Sequence, residues 1–331
     1  MAIRGLGNVR PNPVVGCVIV REGRVIGEGW HRYFGGPHAE VAAVESVSNR
    51  EMLKGSTVYV NLEPCAFHGK TPPCANMLVE KEVGRVVFSN IDPNPKVKGK
   101  GAGLLKGKNI EVVDGVLEDE GRELNKRFFT VHERKRPYIV LKWAQTADGF
   151  IAHEDGSSKW ISNKYSRMIV HKWRSEEHAI LVGSRTVKYD DPSLTVRDWP
   201  GKSPLRIVMG NGLADNSGQK VFDNSVPTIV YNTEKSAEQE GASWVKIVDK
   251  DLLAGALDDL MNRDIQSVFV EGGAKTLQTF IDKGLWDEAR VFTGPGVFGT
   301  GINAPELRAT PVDRREIHGD ILTVYKPTTL G

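Results

Sequence analysis

Apolar positions along the first third of the chain alternate between two spacings. Val14-Val15-Gly16-Cys17-Val18-Ile19-Val20 is nearly unbroken, and after the turn Arg21-Glu22-Gly23-Arg24 comes a shorter run, Val25-Ile26-Gly27-Glu28-Gly29. Two such runs joined by a glycine turn predict a β-hairpin. From His38 the apolar residues fall instead at Val41, Ala42, Val44 and Val47, the spacing of one helical face. Residues 57–62 then read as a strand, 73–79 as a helix and 85–88 as a strand. A segment over 101–108 leads to a strand over 110–113, and one charged helix spans about 118–129. Strand alternating with helix predicts an α/β layered sheet.

The pattern breaks at Val131-His132-Glu133-Arg134-Lys135-Arg136-Pro137, which is polar and ends in proline; the apolar strand Tyr138-Ile139-Val140-Leu141 then begins afresh. This places a boundary near residue 134 and divides the chain into domains 1–133 and 134–331. In the second half a helix starts at Asn163, a good N-cap, and runs through Met168, Ile169 and Trp173. Strands over 179–182, 205–208 and 228–231, a helix over 252–261 and a strand over 267–270 follow, implying mostly parallel connections. That last strand leads through Glu271-Gly272-Gly273-Ala274-Lys275-Thr276 into a helix, a layout that can set backbone N–H groups against a phosphate. Gly294-Pro295-Gly296-Val297-Phe298-Gly299 matches the G-x-G-x-x-G string, but the residues after it are a poor helix start and it lies late in its domain. It is therefore read as a cofactor edge, not a dinucleotide fingerprint.

A chain of 331 residues fits two domains. With 44 basic and 42 acidic residues it lacks the charge footprint of a nucleic-acid or membrane-surface binder, so a small-molecule partner is expected. No apolar stretch is long enough to span a bilayer, and Met1-Ala2-Ile3-Arg4-Gly5 has no signal-peptide core. Three cysteines are too few and too odd for a disulfide framework and suggest a reducing, cytoplasmic setting; Cys17 reads as a buried free thiol. Lys96, Lys98, Lys100, Lys106 and Lys108 read as a solvated face that also attracts an anionic substrate.

The chemistry concentrates in His38-Ala39-Glu40, Pro64-Cys65 and Cys74. One imidazole and two thiolates leave the fourth position of a catalytic zinc open, and Glu40 is left over to move protons. The set resembles the H-x-E…P-C-x-x-C signature of zinc nucleobase deaminases, except that eight residues, not two, separate the cysteines. His38 and Cys74 both fall near helix N-termini, where the positive end of the macrodipole favours a thiolate. A structural zinc in a mere binding module would take four protein ligands, which disfavours that reading. A deaminase of nucleosides or tRNA fused to an unrelated nucleotide-binding domain is the alternative enzyme, and it predicts no use of NADPH.

Taken together, the residues resemble one family, the bifunctional deaminase-reductase of riboflavin biosynthesis. Pro11-Asn12-Pro13-Val14-Val15-Gly16, Gly35-Gly36-Pro37-His38-Ala39-Glu40, Glu63-Pro64-Cys65 with Gly69-Lys70-Thr71-Pro72-Pro73-Cys74, and Asp92-Pro93-Asn94-Pro95 are similar to its deaminase motifs. Arg136-Pro137-Tyr138, Lys142 with Asp148-Gly149, Trp160-Ile161, the run from Asp190 to Arg197 and Val270-Glu271-Gly272-Gly273 are similar to its reductase motifs. The resemblance implies a cytidine-deaminase-like three-layer α/β/α domain followed by a dihydrofolate-reductase-like α/β domain, in a homodimer or higher homo-oligomer. It implies zinc-dependent deamination of a phosphoribosylated pyrimidine, then NADPH-dependent reduction of its ribosyl side chain to ribityl.

Residue by residue, the resemblance implies zinc on His38, Cys65 and Cys74, with Glu40 as the catalytic proton shuttle. Asn12, His31, Lys70, Thr71, Asp92 and Asn94 would hold the deaminase substrate. Trp160, Thr186, Asp190 and the turn Gly273, Ala274, Lys275, Thr276, Leu277, Gln278 and Thr279 would contact NADPH, with Arg185 and Lys188 as candidates for its 2′-phosphate. Lys142, Ser158, Arg174, Leu194, Arg197 and Glu271 would contact the reductase substrate, the two arginines suiting phosphate because their forked donors bind it bidentately. Two departures stand out. Phe67, followed by His68, occupies the place of a family histidine, and only residues 1–10 precede the Pro-Asn-Pro motif where the family usually has a helix, an arrangement expected to leave apolar surface uncovered.

Overall fold

The computed structural model describes residues 1–66, 73–95, 97–157, 161–213 and 218–328. The chain divides into two compact units, Met1–Lys135 and Arg136–Gly331.

The first unit contains β1 (Gly16–Arg21), β2 (Arg24–Trp30), α1 (Ala39–Ser46), β3 (Thr57–Leu62), α2 (Cys74–Glu80), β4 (Arg85–Asn90), α3 (Lys100–Gly107), β5 (Glu111–Val113), α4 (Glu118–Leu124) and α5 (Lys126–Arg134). The strands lie in the order β2-β1-β3-β4-β5. β1 is antiparallel to β2 and β3, while β3-β4-β5 are parallel. Alternate residues Cys17 and Ile19, Val58 and Val60, and Val86 and Phe88 pack with α1 (Ala39, Ala43, Val44), α2 (Ala75, Leu78) and α3 (Ala102, Leu105). All three helices therefore cover one face of the sheet, and each fully buried large side chain in this layer contributes about 1.5–3 kcal/mol. α4 lies on the opposite face, beside Ser89, with a glycine at the contact. A Cβ on Gly121 would sit 2.0 Å from Asn90 Oδ1 and 2.8 Å from Ser89 Cβ.

The single charged helix expected over 118–129 is two helices broken at Asn125. This residue leaves the helical backbone (φ −107°, ψ 24°), and its buried amide pairs with Val14, accepting from the backbone N–H at 2.9 Å and donating to the carbonyl at 3.0 Å. A tertiary bond across more than a hundred residues overrides local helix propensity here. α5 buries Phe128 and Phe129 and continues to Arg134, so residues 131–134, expected to be linker, form its last turn; Lys135 ends it in the left-handed conformation (φ 55°).

The second unit contains β6 (Tyr138–Gln145), β7 (Phe150–Ala152), α6 (Lys164–Glu176), β8 (Ala179–Gly183), α7 (Ser184–Asp190), β9 (Leu205–Met209), β10 (Thr228–Asn232), β11 (Ala237–Gln239), β12 (Ala242–Lys246), α8 (Leu252–Asn262), β13 (Ser267–Val270), α9 (Ala274–Asp282), β14 (Glu288–Thr293), β15 (Ile302–Asn303), β16 (Pro311–Ile317) and β17 (Asp320–Tyr325). The main sheet runs β11-β12-β10-β9-β8-β13-β6-β14-β17-β16, and β15 pairs with β7 apart from it. From β12 to β14 every neighbouring pair is parallel; β11, β17 and β16 are antiparallel additions at the ends.

Alternating residues divide this core in two. Ile139 and Leu141, Leu181, Ile207 and Val268 pack under α8 and α9, while Tyr138 and Val140, Val182, Val208 and Phe269 pack against α6 and α7. The result is a sheet covered on both sides, as continuous apolar strands require. Asn163 caps α6, its side chain accepting from Tyr165 N and Ser166 N at 2.9 and 3.0 Å. Residues 294–299 leave β14 without entering a helix, consistent with their reading as something other than a dinucleotide fingerprint. Among the described residues, no helix is long and apolar enough to cross a membrane.

Candidate active sites

In the first unit the end of the central strand β3 and two helix starts bring three metal-binding atoms together. His38 immediately precedes α1, Cys65 follows β3, and Cys74 is the first residue of α2. His38 Nδ1 lies 3.6 Å from Cys65 Sγ and 3.3 Å from Cys74 Sγ, and the three ligand atoms all lie within 4.8 Å of one another. Zn–N bonds of about 2.0–2.1 Å and Zn–S bonds of about 2.3 Å at a tetrahedral angle would separate such atoms by about 3.5 Å, so the donor set fits zinc. The Cys74 backbone N–H also donates to Cys65 Sγ at 3.3 Å. Hydrogen bonding from Cys74, with help from His38, holds the Cys65 thiol down at about 4 despite burial. Glu40, in the first turn of α1, is buried, and that burial together with the Cys65 thiolate pushes its carboxyl up to about 7.

Around this centre the structure places the substrate candidates in pairs. His31 stands edge-on to His38 with ring centroids 5.9 Å apart. Its Nδ1 faces the Pro37 carbonyl at 2.9 Å, which only accepts, so Nδ1 carries the proton and Nε2 accepts from Asn12 Nδ2 at 3.1 Å. Burial lowers the pKa of this imidazole, consistent with a neutral ring. Asp92 accepts from Asn94 N at 2.8 Å, and burial pushes its carboxyl up to about 6. Lys70 and Thr71, like Phe67 and His68, lie outside the described residues.

A residue with no role expected beforehand organises this region. Glu63 is buried at the end of β3, and its carboxylate accepts from Asp92 N (3.3 Å), Gly99 N (2.9 Å) and Ala102 N (3.1 Å). It thereby caps the start of α3 and ties the segment bearing Asp92 and Asn94 to the strand that delivers Cys65. α3 approaches so closely that a Cβ on Gly101 would fall 1.9 Å from the Pro64 carbonyl oxygen. The only sequence signal for Glu63 is an acid standing directly before the Pro-Cys pair.

In the second unit a cavity of about 930 Å³ opens between α6, α7 and α9. Of the expected residues, Lys142, Arg174, Arg197, Glu271, Thr186, Asp190, Gly273, Ala274, Lys275, Thr276, Leu277 and Thr279 line it. α7 and α9 start side by side: a Cβ on Gly183 would meet Thr276 Oγ1 at 2.5 Å, and Gly273 takes φ +71° next to Thr186. Two helix N-termini converging on one cavity offer N–H groups to an anionic ligand. Arg185 lines the cavity and Lys188 does not.

Three expectations change here. Gln278 points away from the cavity, its amide donating to Asp282 Oδ1 at 2.7 Å and accepting from Glu306 N at 2.9 Å, because helical spacing carries it off the face that Lys275 and Thr279 share. Leu194 buries its side chain in the core with φ +55°, which leaves its backbone as the part able to meet a ligand. Arg174 is no open phosphate fork and no surface pair. Its Nε and Nη2 bond Glu271 at 2.6 and 2.9 Å, and its Nη1 donates to the Thr195 carbonyl at 3.0 Å. Lys142 Nζ lies 3.8 Å from the same carboxylate. Burial alone would raise the Glu271 pKa, but Arg174 and Lys142 overcome it and hold the group at about 2. Burial lowers the Lys142 pKa in turn. Ser158 and Trp160 lie outside the described residues.

Each unit has relatives among known proteins. Residues 5–90 match the cytidine and deoxycytidylate deaminase zinc-binding region, and residues 137–313 match the RibD C-terminal domain. The chain is 42% identical over 313 residues to the riboflavin biosynthesis protein RibD of Aquifex aeolicus, covering 93% of this chain and 87% of that one. The chain belongs to the RibD family. RibD of Escherichia coli is 36% identical over 323 residues, covering 91% and 86% of the two chains. The crystal structure of a diaminohydroxyphosphoribosylaminopyrimidine deaminase/5-amino-6-(5-phosphoribosylamino)uracil reductase from Thermotoga maritima superposes with a TM-score of 0.92 at 37% identity, covering 99% of this chain and 95% of that one. Acinetobacter baumannii RibD gives 0.90 at 35% identity, covering 99% and 96%. Fusion of a deaminase to an unrelated nucleotide-binding domain is excluded, since the second unit carries a RibD match of its own.

Proposed function

We propose that this RibD-family chain catalyses two successive steps of riboflavin biosynthesis. The first is zinc-dependent hydrolytic deamination of 2,5-diamino-6-(5-phosphoribosylamino)pyrimidin-4-one; the second is NADPH-dependent reduction of the ribosyl side chain to ribityl. The observation that carries the first step is the convergence of His38 Nδ1 with the Cys65 and Cys74 sulphurs beside Glu40, with no fourth His, Cys, Asp or Glu in the cluster among the described residues. Zinc held by His38, Cys65 and Cys74 would supply a Lewis acid that lowers the pKa of a water toward neutrality. Glu40 takes the proton from the attacking water and passes it to a ring nitrogen. A second transfer lets the 2-amino group leave as ammonia as the carbon–oxygen bond replaces the carbon–nitrogen bond. His31 and Asn12 orient the pyrimidine, and Asp92 and Asn94, braced by Glu63, hold its substituents together with Lys70 and Thr71.

In the second unit NADPH supplies the hydride, and the chain's residues supply orientation and the accompanying proton. The paired starts of α7 and α9, with Thr186, Asp190 and the turn from Gly273, receive the cofactor's phosphates; Trp160 completes the cofactor set that the family resemblance implies, and Ser158 the substrate set. Lys142, a buried ammonium whose charge burial disfavours, is the proton-bearing group on the cavity wall. Arg197 is the phosphate partner, because the fork of Arg174 is occupied by Glu271. The chain acts in the cytoplasm, where thiolates stay reduced, as a homodimer or higher homo-oligomer, which light scattering checks. Metal analysis combined with ammonia-release and NADPH-oxidation assays tests the proposal. One zinc per chain with both activities is expected, and protein without zinc or ammonia release would overturn it.

A further inference from the structure

The reductase cavity contains a buried histidine with no role in the chemistry above. His171, on α6 and buried, lines the cavity one helical turn before Arg174. Residues three apart on a helix share a face, so both side chains reach the same neighbour, the segment from Ser193 to Asp198. Arg174 Nη1 donates to the Thr195 carbonyl at 3.0 Å, and His171 Nδ1 accepts from the Arg197 backbone N–H at 3.2 Å. The Thr195 carbonyl and the Arg197 N–H, two residues apart, are thus held by a donor and an acceptor from one helix. Because Nδ1 accepts, the ring proton sits on Nε2, which faces Asp198 Oδ2 at 3.4 Å. Both nitrogens are thus engaged by the segment and neither is left for substrate.

Arg197 is the residue this arrangement aims. Its guanidinium is steadied by Thr195 Oγ1 at 3.1 Å and by Ser193 Oγ, on the same segment. We infer that His171 is a positioning residue of the reductase site, locking the backbone of Arg197 so that its guanidinium meets the substrate phosphate at the cavity mouth. The inference rests on the reading of Arg197 as phosphate partner, and the experiment separates the two.

The test is steady-state kinetics on 5-amino-6-(5-phosphoribosylamino)uracil with the full-length, zinc-loaded chain. Truncation of the contacts by His171→Leu raises the substrate KM about 5- to 10-fold, the weight of one to two net hydrogen bonds, and leaves kcat and the NADPH KM within about 2-fold. In His171→Asn the amide oxygen takes the place of Nδ1 and returns KM to within about 2-fold of the parent; in His171→Gln the acceptor sits at the other ring position and KM stays high. The Asn–Gln contrast decides the matter even if the leucine variant does not fold. Arg197→Ala raises KM by itself and adds nothing further in the His171→Gln background, since both changes remove one contact. Equal behaviour of Asn and Gln, additive effects with Arg197→Ala, or parallel losses in kcat and NADPH affinity would overturn the role of His171. An Arg197→Ala variant with unchanged KM would instead overturn the phosphate reading.

Discussion

Replacement of Glu271 by glutamine offers the sharpest probe of the reductase unit. The carboxylate is buried against Arg174, with contacts of 2.6 and 2.9 Å, and against Lys142 at 3.8 Å. Its pKa of about 2 lies well below the value of about 4.3 expected for an unfolded glutamate. A gap of about 2 units at about 1.4 kcal/mol each corresponds to about 3 kcal/mol of stability. Because the folded pKa is the lower one, that stability is fully present above about pH 4.3 and is lost as pH falls through about 2. Glu271→Gln leaves two buried cations without their anion, a loss of about 3–5 kcal/mol near neutrality. For a unit of this size the melting temperature then drops by roughly 6–20 °C. Differential scanning calorimetry of parent and variant between about pH 3 and pH 7 measures the gap. It is expected to narrow steadily below about pH 4, where the glutamate of the unfolded parent takes up a proton that the folded carboxylate, with its pKa of about 2, does not yet bind. A gap that stays constant over the whole range, or a variant as stable as the parent at neutrality, would refute the reasoning.

Three further predictions concern the deaminase unit. Gly101→Ala forces a Cβ to within 1.9 Å of the Pro64 carbonyl, which only backbone movement can relieve, so zinc retention and ammonia release both fall, the latter by about 10-fold or more, while NADPH oxidation is unchanged; metal analysis after gel filtration with both assays checks this. Glu63→Gln sets an amide N–H against one of three backbone donors, and it raises the deaminase KM about 10-fold while zinc stays near one per chain, as kinetics and metal content will show. Asn125→Ala removes both bonds to Val14 and lowers the stability of this unit by about 2 kcal/mol, read as an earlier melting transition with reductase activity intact.

What the sequence revealed and what it hid divide along the range of the interactions. His38, Cys65 and Cys74 were legible because each sits at the end of an element that local pattern predicts, and strand-to-helix junctions set their spacing. The parallel core of the second unit was legible for the same reason: 179–182 is apolar throughout, and 205–208 and 267–270 carry three apolar residues each, because both faces of the sheet are covered. β16 was not, since Pro311-Val312-Asp313-Arg314-Arg315-Glu316 forms an exposed edge with no buried face to impose alternation. Asn125, Glu63 and His171 were hidden because their partners lie far along the chain or on backbone atoms, which no motif encodes. Arg174 shows the limit of reasoning from residue type: a forked donor suits phosphate and carboxylate equally, and only the fold brings Glu271 within reach.

The proposed function puts two separate chemistries on one chain, the first driven by a carboxylate that touches water and substrate but not the metal. Glu40→Gln tests it most directly, with zinc content, ammonia release and NADPH oxidation on the deaminated intermediate measured on a single preparation. Zinc is expected at the parent level, ammonia release reduced by at least about 1,000-fold, and NADPH oxidation unchanged. Loss of zinc together with ammonia release would make Glu40 a ligand instead of a proton shuttle, and loss of NADPH oxidation would contradict the separation of the two sites.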